Sequence, residues 1–188
     1  MVVKGEYMEW LLFTYWLPLE PSRKRVFVWR QLKRIGALSL EGGGWVLPKK
    51  EPLVAKITEL MRTVEEMGGT ANLFTVTHYS DTQEKRIVAK FQQESELEYA
   101  EIITECRKTL RHIERETQEG NFNLREVEEI EGDLGKINHW FSHVKERDFW
   151  QADGRKEVEE MISEVEVNLS AFTQKTYDKL QGTESTEL

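Results

Sequence analysis

Cysteine is almost absent from this chain of 188 residues, in which Cys106 is the single example. One cysteine excludes an internal disulfide and is typical of a reducing compartment, so we expect a cytoplasmic protein. No apolar run approaches the ~20 residues that a membrane-spanning helix needs. The N-terminus also lacks the basic start and the apolar core of a secretory signal. These absences predict a protein without a membrane segment.

Cofactor-binding motifs are missing as well. The chain has no phosphate-binding glycine loop and no dinucleotide fingerprint, so we expect no cofactor and no enzymatic activity. His139 and His143 are one helical turn apart, with Glu146 beyond them, and this spacing can hold a divalent metal. The apolar seam of the same helix runs through Ile137 and Phe141, however. We therefore interpret the two histidines as part of a solvated helix face and predict no metal site.

Acidic residues are missing from one stretch, between residues 23 and 35. Six basic residues occur there: Arg23, Lys24, Arg25, Arg30, Lys33 and Arg34. The whole chain has a net charge of −8. Residues 1–50 nevertheless carry nine Lys and Arg against four Asp and Glu, whereas residues 92–188 carry twelve against twenty-four. A polyanionic partner is therefore expected to contact only the N-terminal part of the chain.

The basic stretch is predicted to form a helix. Ser22 is a suitable N-cap after Pro21, and Gly36 is a suitable stop. Helical spacing places Arg23, Arg30 and Arg34 on one stripe, with Lys33 beside them.

Cations at the start of this helix repel its positively charged end. Their placement predicts a docked anion, which is either a DNA phosphate or a small oxyanion such as sulfate. The alternative is a solvated face that is neutralised by Glu20 or by the acidic helices that follow.

The first half of the chain alternates strands and helices. Strands are predicted at residues 9–17, 37–40, 45–47 and 72–76, and helices begin near Ser22 and Pro52. The order strand, helix, strand, strand, helix, strand is that of a ferredoxin-like split βαβ module, here residues 7–91. In this fold we expect helices on one face of the sheet and a free second face.

Beyond Ser80 the pattern is helical. Ser80 and Gln83 form a capping box, and three heptad-like apolar seams follow, with breaks at residues 120–121 and 153–154. They predict an acidic antiparallel three-helix bundle over residues 92–182, followed by a disordered tail at 183–188. Cys106 lies on a seam and is expected to be buried. The fold class is therefore α+β.

Aromatic residues are concentrated in the first module, at Trp10, Tyr15, Trp16, Trp29 and Trp45. On an open sheet face such residues can stack on nucleic-acid bases. The alternative, which we favour, is that they form the core.

A longer pattern points to a family. Residues 10–37 contain W-L-L-x-x-Y-x-L-P-x-E-P-S-R-x-R-V-x-V-W-R-x-L-K-R-x-G-A, and a G-G-x-W-x-L-P string ends at Pro48. Together with E-Y-A-E at residues 98–101 and R-D-F at 147–149, this pattern resembles the N-terminal domain of the ChrB family of bacterial chromate-resistance regulators. More distantly, it is similar to the ferredoxin-like domain of PaaX-type phenylacetate repressors and of CRISPR spacer-acquisition nucleases.

The resemblance implies a chromate-responsive role in controlling a chromate efflux gene. We therefore expect a non-enzymatic transcription-regulatory protein whose basic helix contacts DNA phosphates or an oxyanion such as chromate or sulfate. A protein-interaction module that forms a homodimer and binds no nucleic acid is the alternative. A metal-dependent nuclease is a third, weaker possibility. The related nucleases place a metal-binding Asp near the end of their first strand, whereas this chain has Tyr15, Trp16 and Leu17 there and so lacks that carboxylate.

Overall fold

The computed structural model describes residues 8–78 and 80–184, with side chains up to residue 181. Residues 1–7 and the last four residues of the predicted tail lie outside the described residues. The chain divides into two compact units. The first consists of Met1–Gln92 and Arg147–Trp150, and the second of Gln93–Glu146 and Gln151–Leu188.

The first unit has the predicted ferredoxin-like order of elements. Its strands and helices are β1 Trp10–Trp16, α1 Ser22–Arg34, β2 Leu38–Leu40, β3 Gly44–Pro48, α2 Glu51–Glu66 and β4 Thr70–Val76. The sheet is antiparallel with the order β2-β3-β1-β4, and Trp10 of β1 lies between Pro48 and Val76. Strand β1 therefore occupies the centre of the sheet, as its two apolar faces require.

One face of this sheet packs against α1 and α2. Leu11 and Phe13 point from β1 into the core and are almost fully buried, together with Leu32 of α1 and Ile57 of α2. Their alternation along the strand and their spacing along the helices are those of half-buried elements. This core fixes which side of α1 faces solvent.

The second face of the sheet is not free, and the expectation of an open face was wrong for half of it. Trp10 is fully buried there beside Phe91, which lies in the first three turns of the following helix. The Trp150 ring stacks on the Trp10 ring at a centroid distance of 5.6 Å, and Phe149 also belongs to this cluster. Long-range aromatic contacts of this kind have no sequence signature.

Glycines end both helices of this unit. Gly36 and Gly68 have φ angles of 77° and 81°, a conformation that glycine adopts without steric cost. The prediction for the start of α1 was wrong. Pro21 is the N-cap and Ser22 is the first helical residue, so the Ser22 hydroxyl forms no capping hydrogen bond.

Three long helices follow, as predicted: α3 Asp81–Glu119, α4 Leu124–Arg147 and α5 Gly154–Glu184. The Ser80 hydroxyl accepts a hydrogen bond from the Gln83 amide, which confirms that half of the capping box. In the second unit each helix runs antiparallel to the one before it. The three helices share a core that includes Tyr99, Ile130 and Val158. Helix α5 continues to Glu184, two residues into the segment predicted to be a tail.

Gly132 and Gly135 lie inside α4. In the described part of the chain, no atom beyond the adjoining residues and backbone of α4 lies within 4 Å of the position that a Cβ would take at either glycine, so no other helix approaches them there. Among the described helices, none has the length and apolar composition needed to cross a bilayer.

Candidate functional site

The exposed side of α1 presents three arginines. Arg23, Arg30 and Arg34 are exposed, whereas Val28 and Leu32 on the opposite side are fully buried. With a rise of about 1.5 Å per residue, the arginines are spaced by about 10 Å and 6 Å along the helix axis. Within the described residues, none of the three guanidinium groups has a hydrogen-bonding or ion-pair partner. We call these three residues the arginine stripe.

The other three predicted cations have roles within the fold. The Lys24 ammonium donates a hydrogen bond to the carbonyl of Met67, at 2.8 Å, and so caps the end of α2. Arg25 lies near Tyr15, where burial raises the pKa of the tyrosine and the arginine charge partly offsets that effect. Lys33 is half-buried and takes part in an interaction within the chain. The structure therefore separates the six basic residues into two groups of three.

The first turn of α1 carries no counter-charge. It has no acidic residue, and the N-cap Pro21 provides no side-chain hydrogen bond to the free amides. The Lys24 amide is satisfied by the Pro21 carbonyl at 3.2 Å. Because a helix start carries about half a positive charge, Arg23 adds to an already positive potential. An anion at this end would find both charge and backbone donors.

Apolar side chains lie between the arginines. Val26, Phe27 and Trp29 are exposed on α1, although they are large and hydrophobic. Sequence reasoning did not identify Val26 and Phe27 as surface residues, yet helical spacing places both within one turn of Arg23 and Arg30. The surface of α1 is therefore both basic and apolar.

The uncovered part of the sheet face is aromatic. Trp16 at the end of β1 is 61% exposed and Phe74 on β4 is 50% exposed. Between them, Thr14 and Asn72 face each other across the two strands. Of the other predicted aromatics, Trp10 and Trp45 are buried and Tyr15 is half-buried. The core interpretation therefore holds for those three, whereas Trp16 and Trp29 are on the surface.

The remaining sequence candidates lie in the second unit. His139 and His143 are exposed, as predicted, with their Nε2 atoms 3.1 Å apart. Glu146 approaches the other ring nitrogen of His143 at 4.0 Å. Cys106 is fully buried, and burial raises the pKa of its thiol, so it is not a reactive cysteine.

One cluster was not predicted from the sequence. His112, Glu116 and Glu126 converge within the second unit, so that one ligand atom of each lies within 4.8 Å of the others. The spacing of His112 and Glu116 by one helical turn is visible in the sequence. The approach of Glu126 is not, because it depends on how α3 and α4 pack.

Comparison with known proteins supports the resemblance to the ChrB family. The family described as "Protein ChrB, N-terminal" matches residues 25–183. "Protein ChrB" of Cupriavidus metallidurans is 32% identical over 96 residues, which are 51% of this chain and 29% of that protein. The chain thus matches less than a third of the length of this relative. No solved structure matches the chain.

Proposed function

Because the chain belongs to the ChrB N-terminal family, we propose that it is a regulatory protein of chromate resistance whose helix α1 contacts DNA. In this role Arg23, Arg30 and Arg34 bind phosphates of the duplex backbone. The protein acts in the cytoplasm and has no enzymatic activity of its own. Expression of a chromate efflux gene is the process that it regulates.

The arginine stripe is the observation that carries this proposal. It consists of three guanidinium groups that lack partners in the described structure, in a chain whose net charge is −8. Unpaired exposed arginines are suited to bidentate contacts with phosphate oxygens. Their neighbours Lys24 and Arg25 support the fold instead, so the stripe is the part of α1 that is available to a partner.

Phosphate contacts predict a specific dependence on salt. Each phosphate that a protein neutralises contributes about −0.9 to the slope of log affinity against log salt concentration. Three contacts from the stripe therefore contribute about −2.7. Between 50 and 200 mM salt, this part alone weakens binding by about 40-fold.

The test is fluorescence anisotropy with a labelled duplex from the region upstream of the gene. The wild type is compared with the triple variant Arg23→Gln, Arg30→Gln, Arg34→Gln over a salt series. A matched control replaces three arginines outside α1, with Arg62→Gln, Arg111→Gln and Arg125→Gln, and lowers the net charge equally. We expect the control to retain the wild-type slope and the stripe variant to lose about 2.7 from it.

Two results would contradict the DNA contact. One is equal weakening by the control and the stripe variant, since this would mean that only net charge matters. The other is the absence of duplex binding by the wild type at low salt. In both cases thermal melting of each variant shows whether the fold is intact. Exposed arginines contribute little to stability, even when one of them, Arg62, forms a surface ion pair with Glu59.

A small oxyanion uses the same chemistry as a DNA phosphate at the start of α1. Adding chromate or sulfate to the anisotropy titration separates the two ligands. Release of DNA by chromate, but not by sulfate at equal ionic strength, would mean that chromate acts specifically on the DNA-bound protein. Equal effects of both ions indicate screening of a phosphate contact.

Protein interaction is a second candidate function, and the exposed apolar residues favour it. Trp16 and Phe74 lie on the uncovered part of the sheet face, and Phe27 lies on α1. Exposed apolar patches often mark contacts between proteins, including contacts between copies of one chain. The test is light scattering of the wild type and of the double variant Trp16→Ser, Phe74→Ser. A wild-type dimer that the double variant converts to a monomer would support this role. A wild type that is already a monomer would exclude a homodimer.

A further inference from the structure

Three metal-ligating side chains meet where α3 ends and α4 begins. His112 and Glu116 are one helical turn apart on α3, and Glu126 is in the first turn of α4. The His112 Nε2 atom lies 3.3 Å from a Glu126 carboxylate oxygen and 3.6 Å from one of Glu116. Zinc ligands at about 2.0–2.2 Å in a tetrahedron are about 3.3–3.6 Å from one another. The donor atoms are therefore already close to the spacing of a metal site.

We propose that His112, Glu116 and Glu126 bind a divalent transition-metal cation of the zinc class. The proposal is independent of the arginine stripe, which belongs to the other unit. It goes beyond a regulatory role in chromate resistance, because the ligand is a cation and not an oxyanion.

Burial distinguishes this cluster from the many exposed acidic residues of the chain. The side chains of His112, Glu116 and Glu126 are only 16%, 5% and 16% exposed. Two carboxylates that are withdrawn from water and face one imidazole repel each other and lose hydration. A cation between them would offset both costs, which the Arg115 guanidinium already offsets in part for Glu116. An exposed pair of carboxylates stays hydrated and has less need of a cation.

The groups around Glu116 are arranged for such a role. The Asn121 amide donates to one carboxylate oxygen of Glu116 at 2.5 Å and fixes its orientation, as outer-shell partners of metal ligands do. The Arg115 guanidinium binds the other oxygen at 2.6 Å. The Arg115 side chain is 61% exposed and can turn into solvent, so it is the group that the cation displaces.

The donor set indicates the class of metal. One imidazole nitrogen with two carboxylate oxygens suits zinc and similar divalent ions, whereas magnesium and calcium prefer oxygen donors alone. Three protein ligands leave a coordination position for water. A cavity of about 490 Å³ between α3 and α4 has His112 in its lining. A bound ion would tie the end of α3 to the start of α4.

The exposed pair His139 and His143 must be eliminated in any test, because two histidines one turn apart can also hold zinc. The experiment therefore uses the full chain with His139→Asn and His143→Asn as the reference protein, stripped of metal with a chelator. Zinc is titrated by calorimetry, with magnesium as the control ion. We expect one equivalent of zinc to bind to the reference protein and magnesium not to compete.

Adding Glu126→Gln or His112→Asn to this reference is expected to weaken zinc binding by more than about 100-fold, the upper end of the loss caused by an outer-shell change. Zinc at 100 times its dissociation constant should raise the ratio of folded to unfolded protein about 100-fold in the reference only. Circular dichroism establishes that each variant retains its helices. Arg115→Gln keeps all three ligands and removes the competitor, so it should bind zinc more tightly.

Two outcomes would overturn the proposal. The first is zinc binding by the wild type that disappears in the reference protein, since this places the metal on the exposed histidine pair. The second is zinc binding by the reference protein that Glu126→Gln and His112→Asn leave unchanged. The proposal also fails if neither the wild type nor the reference protein binds zinc.

Discussion

Replacing Trp150 with alanine should destabilise a core that is built from a distant part of the sequence. The Trp150 ring stacks on the Trp10 ring at a centroid distance of 5.6 Å and an interplanar angle of 19°. It also packs against the Phe91 ring, with 4.7 Å between the two ring centroids. Trp10 is fully buried on the second face of the sheet. The substitution removes the ring that covers Trp10, so the effect should appear around β1 and at the start of α3.

The size of the effect follows from burial. Truncating a fully buried Trp or Phe to alanine costs about 3–5 kcal/mol. Trp150 is only half-buried, so we expect a loss of about 2–3 kcal/mol from the free energy of unfolding of the first unit. For a unit of this size, each kcal/mol lowers the melting temperature by about 4–8 °C. The expected decrease is thus about 10–20 °C.

Hydrogen–deuterium exchange measured by mass spectrometry locates the loss. In Trp150→Ala, amides of residues 10–48 and 81–91 should exchange faster, while those of residues 99–141 should be unchanged. Trp140→Ala is the matched control, because Trp140 is also partly buried but packs in the core of the second unit. It should give the opposite pattern. Faster exchange only within residues 99–141 in Trp150→Ala would refute the assignment of Arg147–Trp150 to the first unit.

Three further measurements test local features of the structure. A Cβ at Gly69 would overlap the Trp16 carbonyl oxygen, so Gly69→Ala should lower the unfolding free energy by about 1–3 kcal/mol. The site of Gly132 is open, so Gly132→Ala should raise the unfolding free energy by about 1 kcal/mol. Urea denaturation measures both changes. Burial raises the pKa of Tyr15 in the folded state. Stability from this residue is therefore present below pH 10 and lost above it, and Tyr15→Phe should flatten the alkaline decline in melting temperature; identical declines would contradict this. Cys106 is fully buried with a raised pKa, so a thiol reagent should modify it only as fast as the second unit opens, and rapid modification of native protein would contradict its burial.

Local patterns predicted most of the fold because local physics determines it. The stops at Gly36 and Gly120 were visible, since a positive φ at a helix end strongly favours glycine. The continuous apolar run that follows Glu9 located β1 within one residue at each end. The errors at Ser22 and at the end of α5 both concern helix boundaries, where shifts of one or two residues cost little free energy.

The candidate site was predictable only in part. Helical spacing placed Arg23, Arg30 and Arg34 on one stripe, and the structure has all three on the exposed side of α1. Spacing could not separate them from Lys24, which donates to the carbonyl of Met67. That bond joins two helices that are distant in sequence, so its partner cannot be deduced from periodicity.

The sequence by itself determined the α+β class, the order of the elements and the apolar seams of the three helices. It did so because turn residues and hydrophobic periods act over a few residues. Only the tertiary structure decided that Trp150 covers Trp10, and that Glu126 reaches His112. Contacts of this kind depend on how separate elements pack, and a period specifies the apolar face of a helix without specifying what covers it.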